Sequence, residues 1–353
     1  MVSLNSETDQ VTCGIPLPGT MAIPYDSALP GCELLQQEKL RTEVIAQLLE
    51  AWLGPKAELL ESRAVLLRYV PGKRCNFLFE LMISATSGAP IERRRVAGKV
   101  YAAQHGARVY KILQEFRSQG FAGGRYRVPQ PLAYEPCLRL LLLGWAEGDL
   151  LRSRILDGSD ASCNMNEAAN FLVKFHQSGV AGDSRYTFRR HLETLARQKQ
   201  RLTTVLPGLD RLLEDLLCRI EKRGEALSGW TPGPTHRDFS PDHLVFDGGC
   251  VTALDFDEFR QYDPMFDVAH FMAHLRLLGL RHTGDLTRFD DLGKIFQTAY
   301  FGGARKYSEA RVRFYQAVAY FKLAYIVAVV ARPPAWEHAV EVFLRDAEWM
   351  LRD

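Results

Sequence analysis

The amino-acid sequence predicts an α+β protein of two lobes, with an antiparallel sheet first and helices second. Three observations predict it. Apolar runs at 64–70, 76–82 and 95–101 are separated by turn residues, as sheet strands are. Beyond residue 150 the apolar residues recur at helical spacing, interrupted by one pair of short β runs near 244–254. A chain of 353 residues is long enough for about two domains at ~150 residues each.

The elements follow in order. Residues 1–35 read as a loose arm, because Pro16, Pro18, Pro24 and Pro30, with Gly14, Gly19 and Gly31, punctuate too often for a helix. Leu40, Val44, Ile45, Leu48, Leu49 and Trp52 then mark a helix that Gly54–Pro55 stops. Ala64–Val70 and Asn76–Met82 flank the turn Pro71-Gly72-Lys73-Arg74, a hairpin pattern, and Arg95–Tyr101 supplies a third strand. Val109, Ile112, Leu113 and Phe116 form one face of an amphipathic helix, with Glu115 at its edge. An extended segment, Leu138–Leu143, ends at Gly144-Trp145-Ala146-Glu147-Gly148, so a first lobe is expected over 36–145. The remainder, 146–353, is mainly helical. A helix capped by Asn166 carries Ala168, Phe171, Leu172 and Phe175. A charged periodic region runs over 188–227, and further helices are expected near 264–280, 309–331 and 335–351. Leu244–Phe246 and Val251–Leu254 form a hairpin around Gly248–Gly249.

Composition narrows the function classes. Hydrophobic residues are 47% and charged residues 24%, ordinary for a globular protein. A net charge of +2 argues against nucleic-acid binding through bulk phosphate neutralisation. The longest apolar run, Leu323–Ala331, falls short of the ~18 residues a membrane helix needs. The N-terminus has no basic n-region or apolar h-region, so no secretory signal is expected. The seven cysteines (13, 32, 75, 137, 163, 218 and 250) are odd in number and contain no CxxC, which fits reduced thiols in a cytoplasmic protein.

The chemistry concentrates in residues 235–269. His236 and Asp238 open a loop that His243 closes, and a hairpin follows. Asp255 and Asp257 leave its second strand, and Asp263-Pro264 and Asp267 start the next helix. The hairpin brings its ends together, so Asp238, His243 and Asp255 can converge. Two acids and an imidazole can hold a divalent ion while a third acid serves as a base, which is what phosphoryl transfer needs. His270 and His274 lie four apart on one helix face, but Phe-Met-Ala between them offers no catalytic Glu, so core or substrate-pocket roles are expected rather than zinc. Trp336 and Trp349 are expected to pack, and Arg189–Arg201 to form a solvated helix face.

This succession (H-x-D, a residue in place of the usual Asn, a hairpin, D-F-D, then D-P-x-x-D) resembles the catalytic core of the aminoglycoside phosphotransferase and choline kinase family. The resemblance implies a bilobal protein-kinase-like fold, with a small antiparallel-sheet lobe bearing one main helix and a larger helical lobe. It implies transfer of the γ-phosphate of ATP or GTP, with Mg²⁺, to a hydroxyl of a small molecule. In that family Asp238 would be the catalytic base, with His236 shaping its loop. Asp255 would bind the metal, with Asp257 and His243 as further ligands, and Asp267 would brace the loop. Lys99 would contact the phosphates with Glu115 as its helix partner. Gly72, Lys73 and Arg74 would cover the phosphates, and Trp145 and Ala146 would lie in the hinge that holds the base.

Three positions depart from the family pattern. His243 stands for the metal-binding Asn, although Mg²⁺ prefers oxygen. Arg237 follows the motif histidine, as an arginine does in protein kinases, where small-molecule kinases usually have Gly. The phosphate loop has one glycine only. A protein substrate is disfavoured because seven residues separate Asp255 from Asp263, too few for a peptide-seating segment. Asp242, Asp257 and Glu258 mildly favour a cationic acceptor. Two other readings remain open: a nucleotide-binding pseudokinase, and a metallohydrolase using His236, Asp238, His243 and Asp255.

Overall fold

The computed structural model describes residues 23, 25–54, 56–84, 90–159, 161–227 and 230–352. In chain order the elements begin with helices α1 (Pro30–Gln36) and α2 (Glu38–Leu53) and strands β1 (Glu58–Val70), β2 (Arg74–Ser84) and β3 (Ile91–Tyr101). Helix α3 (His105–Phe116) and strands β4 (Tyr126–Arg127), β5 (Pro131–Glu135), β6 (Leu140–Gly144) and β7 (Asp149–Leu150) follow. Next come α4 (Leu151–Leu156), α5 (Ala161–His176), α6 (Phe188–Val205), α7 (Asp210–Ala226) and β8 (Gly233–Thr235). The hairpin β9 (Leu244–Asp247) and β10 (Cys250–Ala253) leads to β11 (Arg260–Tyr262) and helices α8 (Met265–Thr283), α9 (Asp290–Gly303), α10 (Glu309–Tyr325) and α11 (Trp336–Met350). The fold is α+β and divides into two compact units. The first runs to Asp149 and adds Val245–Asp257; the second comprises Leu150–Leu244 and the chain from Glu258.

The first unit is built on an antiparallel sheet in the order β1-β2-β3-β6-β5. Successive strand residues point to opposite faces. Val96 and Val100 therefore face one way, into a core with Phe77, Phe79, Leu140 and Leu142, against Cys32 and Leu35 of α1 and Ile45 and Leu49 of α2. Lys99 faces the other way. Gly98 is required between them, since a Cβ there would lie 2.2 Å from the Phe79 ring. Helix α3 buries Val109, Ile112, Leu113 and Phe116, the stripe its sequence shows.

Several expectations change in detail. Pro30–Gln36 is helical despite its proline and glycine, because Pro30 occupies the first turn, where no N–H is needed. Residues 1–22 of the expected arm lie outside the described residues. Asn166 is inside α5 and not at its cap: the helix starts at Ala161, and Asn164 Nδ2 donates to Ser159 O. The periodic region 188–227 is two helices, broken at Pro207. Helix α9 was not anticipated at all.

In the second unit α10 is almost wholly interior, from Val312 through Tyr325. The segment Glu309–Ala331 has the length and hydropathy of a membrane helix, yet 72% of its apolar window is buried by the protein itself. His191 of α6 sits at 5% exposure among the rings of Tyr186, Tyr262 and Phe266. Burial, then the Arg237 and Lys322 cations, push its pKa down to about 3. The unfolded imidazole titrates near 6.5. This histidine therefore contributes stability above pH 6.5 that is lost as the pH falls toward 3, at roughly 1.4 kcal/mol per pH unit. We expect the melting temperature of His191→Phe to fall less steeply than that of wild type between pH 6.5 and 4.5. Parallel slopes would show that the imidazole takes up its proton in the folded state as readily as in the unfolded one.

Candidate active site

In the first unit Lys99 Nζ lies 2.8 Å from Asp255 Oδ1 and 3.1 Å from Asp257 Oδ1. Burial works against the ammonium charge, but the two carboxylates override it and raise the Lys99 pKa. Arg74 Nη1 donates to Asp257 at 2.8 Å and stands 3.7 Å from Asp255. Tyr101, on the same face of β3 as Lys99, donates its hydroxyl to Asp257 Oδ1 at 2.8 Å. Two cations thus balance two carboxylates at a site where each of the four side chains is at most 24% exposed. Asp255 has φ +59°, a left-handed conformation costing a non-glycine residue roughly 1–2 kcal/mol. Such strain persists where the surroundings fix it, here the Lys99 pair and the turn Phe256–Glu258 that follows.

Glu115 is not the partner of Lys99 among the described residues, which is a correction. The ammonium is engaged by Asp255 and Asp257, and Glu115 sits one position off the apolar stripe of α3. The helix contributes Arg108 instead, whose guanidinium donates to the Asp257 carbonyl. The Pro71–Arg74 turn is tight, with Gly72 at φ +64°. The Gly72 N–H donates to Asp26 Oδ2 at 2.8 Å, and Tyr69 donates to the same oxygen at 2.9 Å. Backbone N–H groups of Gly72 and Ala28 hold the Asp26 carboxyl below its ordinary range. A carboxylate thus occupies the one glycine amide of this turn, and Lys73 points to solvent. Trp145 and Ala146 follow the end of β6. The Trp145 ring lies under Arg95, which also bonds Glu147 through Nε at 3.2 Å.

The second unit holds the loop after β8. Asp267, fully buried in the first turn of α8, accepts from the His236 N–H and the Arg237 N–H at 2.7 Å each. His176 Nε2 lies 3.0 Å from the same carboxylate, and its Nδ1 lies 2.7 Å from the Tyr300 hydroxyl. A carboxylate only accepts, so Nε2 carries the proton and Nδ1 accepts from Tyr300. Arg237 has φ +68°, stacks on Tyr186 at 3.4 Å and pairs with Glu258 at 3.1 Å. These contacts hold a left-handed residue where glycine would enter without strain.

Asp238 follows directly. His270 Nε2 lies 3.3 Å from its Oδ1, and His243 Nδ1 lies 3.6 Å from its Oδ2. Burial opposes the Asp238 charge, but His243, His270 and Lys322 hold the carboxyl well below its ordinary range. His243 Nδ1 lies 2.8 Å from the Asp238 carbonyl, a pure acceptor, so Nδ1 carries a proton. His270 was expected as a core or pocket histidine; the structure sets it against Asp238, a contact its helical spacing alone could not reveal. Asp263 accepts from Arg311 at 3.3 Å and from the Met265 N–H at 3.1 Å, which secures the start of α8. Replacing Asp267 by alanine would leave two loop N–H groups without their acceptor, at a cost of about 3 kcal/mol or more. Chemical denaturation of Asp267→Ala checks this; a loss below 1 kcal/mol would mean the loop finds other acceptors.

The acids expected to draw a cationic acceptor are each matched by an arginine. Asp242 pairs with Arg152 at 2.9 Å, Glu258 with Arg237, and Asp257 with Arg74. They form no free negative patch, so the charge argument for a cationic acceptor lapses.

Comparison with known proteins adds the following. Residues 93–311 match the phosphotransferase enzyme family. Comparison with curated protein sequences finds no match. Among solved structures, the aminoglycoside phosphotransferase APH(4)-Ia is similar at a TM-score of 0.58 and 15% identity, covering 88% of this chain and 97% of that one. LicA in complex with AMP is similar at 0.58 and 12% identity, covering 89% and 98%. A choline/ethanolamine kinase family protein from Mesorhizobium loti is similar at 0.54 and 11% identity, covering 82% and 88%.

Proposed function

The chain belongs to the phosphotransferase enzyme family, and from that premise we propose that it moves the γ-phosphate of ATP or GTP to a hydroxyl of a small aminoglycoside-, choline- or sugar-like molecule. The observation that carries this reading is the Lys99–Asp255 pair at 2.8 Å, with Asp257 and Arg74 beside it. An ammonium and a guanidinium match phosphate oxygens, and carboxylate oxygens match a hard divalent ion. The donor set fits Mg²⁺, which Asp255 and Asp257 would hold, and which when bound would offset phosphate charge. His243 offers a nitrogen lone pair and is the weaker match.

Asp238 does the work at the acceptor. Its carboxylate stays ionised across the working pH range, so it accepts a hydrogen bond from the acceptor hydroxyl and aims the oxygen lone pair at phosphorus. The new O–P bond forms as the bond to the bridging oxygen breaks, and the hydroxyl proton passes to Asp238. In a loose transition state such a proton leaves late, so orientation matters more than basicity. His236 and Arg237 present the carboxylate through their bonds to Asp267.

A thermal-shift titration of wild type and Asp255→Ala with ATP and GTP, each with and without Mg²⁺, tests the reading. Ligand at a hundred times its Kd stabilises by about 2.7 kcal/mol. A Mg²⁺-dependent shift that vanishes in Asp255→Ala is expected. No shift with either nucleotide would sink the kinase reading. A second reading, a nucleotide-binding pseudokinase, draws on the Gly72 amide already engaged by Asp26. It calls for a shift with nucleotide and no transfer to any acceptor.

A further inference from the structure

The first unit carries a cavity of about 560 Å³ whose lining does not include the Lys99 cluster. It is lined by Arg93, Arg94 and Arg95 at the start of β3, by Arg117 just past α3, and by Arg127 of β4. Neither Lys99 nor Asp255 nor Asp257 lines it. Two acids share the wall, Glu147 and Asp247, against five guanidinium groups.

The hydrogen-bond ledger of this wall is one-sided. Arg94 is satisfied by Glu92 at 2.8 and 2.9 Å, and Arg95 by Glu147. Arg127 spends Nε on the Gly124 carbonyl at 2.6 Å and keeps its two terminal nitrogens. Arg93 and Arg117 have no acceptor among the described residues. The indole N–H of Trp145, also on this wall, is buried without an acceptor. Burial lowers the Arg117 pKa, and its guanidinium stays charged. Among the described residues the donors lacking a partner outnumber the one unpaired acid of this wall, Asp247, so the unmatched charge is positive and calls for acceptor oxygens bearing negative charge. Guanidinium forks match phosphate oxygens two at a time, and the volume suits a small molecule.

We propose that this cavity is a second anion site that binds a phosphate-bearing small molecule through Arg93, Arg117 and Arg127, with the Trp145 N–H as a further donor. The site shares Trp145 and Ala146 with the stretch expected as the hinge but contains none of Lys99, Asp255 and Asp257, and it does not depend on the proposed transferase activity.

Calorimetric titration of the full chain with inorganic tripolyphosphate, at fixed 150 mM ionic strength and without Mg²⁺, tests it. The variants are Lys99→Ala, which removes the phosphate contact of the donor cluster, and the double substitution Arg93→Ser/Arg117→Ser. Saturable binding is expected in wild type and in Lys99→Ala, with at least a tenfold loss of affinity in the double variant. The double variant is also expected to bind ATP with Mg²⁺ as wild type does, which shows that it is folded. Binding lost in Lys99→Ala and kept in the double variant would place the anion at the donor cluster and overturn the proposal. So would the absence of saturable binding, or capture of a polyglutamate peptide in preference to tripolyphosphate. If the kinase reading fails but tripolyphosphate still distinguishes these variants, the second site stands on its own.

Discussion

Asp238→Asn is expected to lower turnover about a thousandfold, within the usual range for a positioned acid–base group, with nucleotide affinity unchanged within a factor of two. The substitution keeps the volume and removes the charge that His243 and His270 face at 3.6 and 3.3 Å. It does not touch the bonds of the His236 and Arg237 amides to Asp267, so the loop keeps its course. Because these neighbours hold the carboxyl well below its ordinary range, Asp238 is ionised down to low pH. The wild-type rate should accordingly show no acid limb from this group between pH 5 and 8. Steady-state rates, with nucleotide binding by calorimetry as the control, decide the matter; a kcat within tenfold of wild type would remove Asp238 from the chemistry.

Lys99→Met carries the second large effect. It strips Asp255 of the nearer of its two cations and Asp257 of one of its two, and leaves Arg74 to balance both. Breaking a buried ion pair on one side costs about 3 kcal/mol. The affinity for nucleotide should fall ten- to a hundredfold, the worth of one charged hydrogen bond. Adding Asp255→Asn to Lys99→Met should return part of the stability, because the unbalanced charge goes with it, but none of the affinity. If the double variant is no more stable than the single, the loss came from packing of the lysine stem and not from charge.

The architecture was legible where the signal is local. The run 95–101 was recognisable as a strand, and the strand period, fixed by the backbone, sets Lys99 opposite Val96 and Val100. Asp263-Pro264 and Asp267 announced a helix start, and Asp267 lies in the first turn of α8; that it would brace the loop was implied by the resemblance alone. What escaped depends on contacts distant in sequence. Helical spacing put Glu115 near the apolar stripe but could not say that Arg108, two turns earlier, reaches the Asp257 carbonyl. Nothing near Gly72 betrayed that Asp26 would take its amide, since the two lie 46 residues apart. Asn166 misled because the same side chain that caps helices is tolerated inside one, and α5 starts five residues before it. The acids at 242, 257 and 258 read as free charge because their arginine partners lie 90, 183 and 21 positions away.

The first unit is not one continuous piece of chain: it recovers Val245–Asp257 only after residues 150–244 have been made. On the ribosome this sets an order of events. Lys99 emerges 156 residues ahead of Asp255, a wait of roughly 8–30 s at ~5–20 residues per second. Until then β4 has no β10 to pair with, and Phe116 lacks the Phe256 ring that it later meets at 5.5 Å. The nascent sheet therefore holds an unmatched ammonium and an open apolar edge while the second unit is still being synthesised. A gene fragment cut at residue 149 would freeze the protein at that stage, so the first unit should be obtained by joining 245–257 to it, not by truncation.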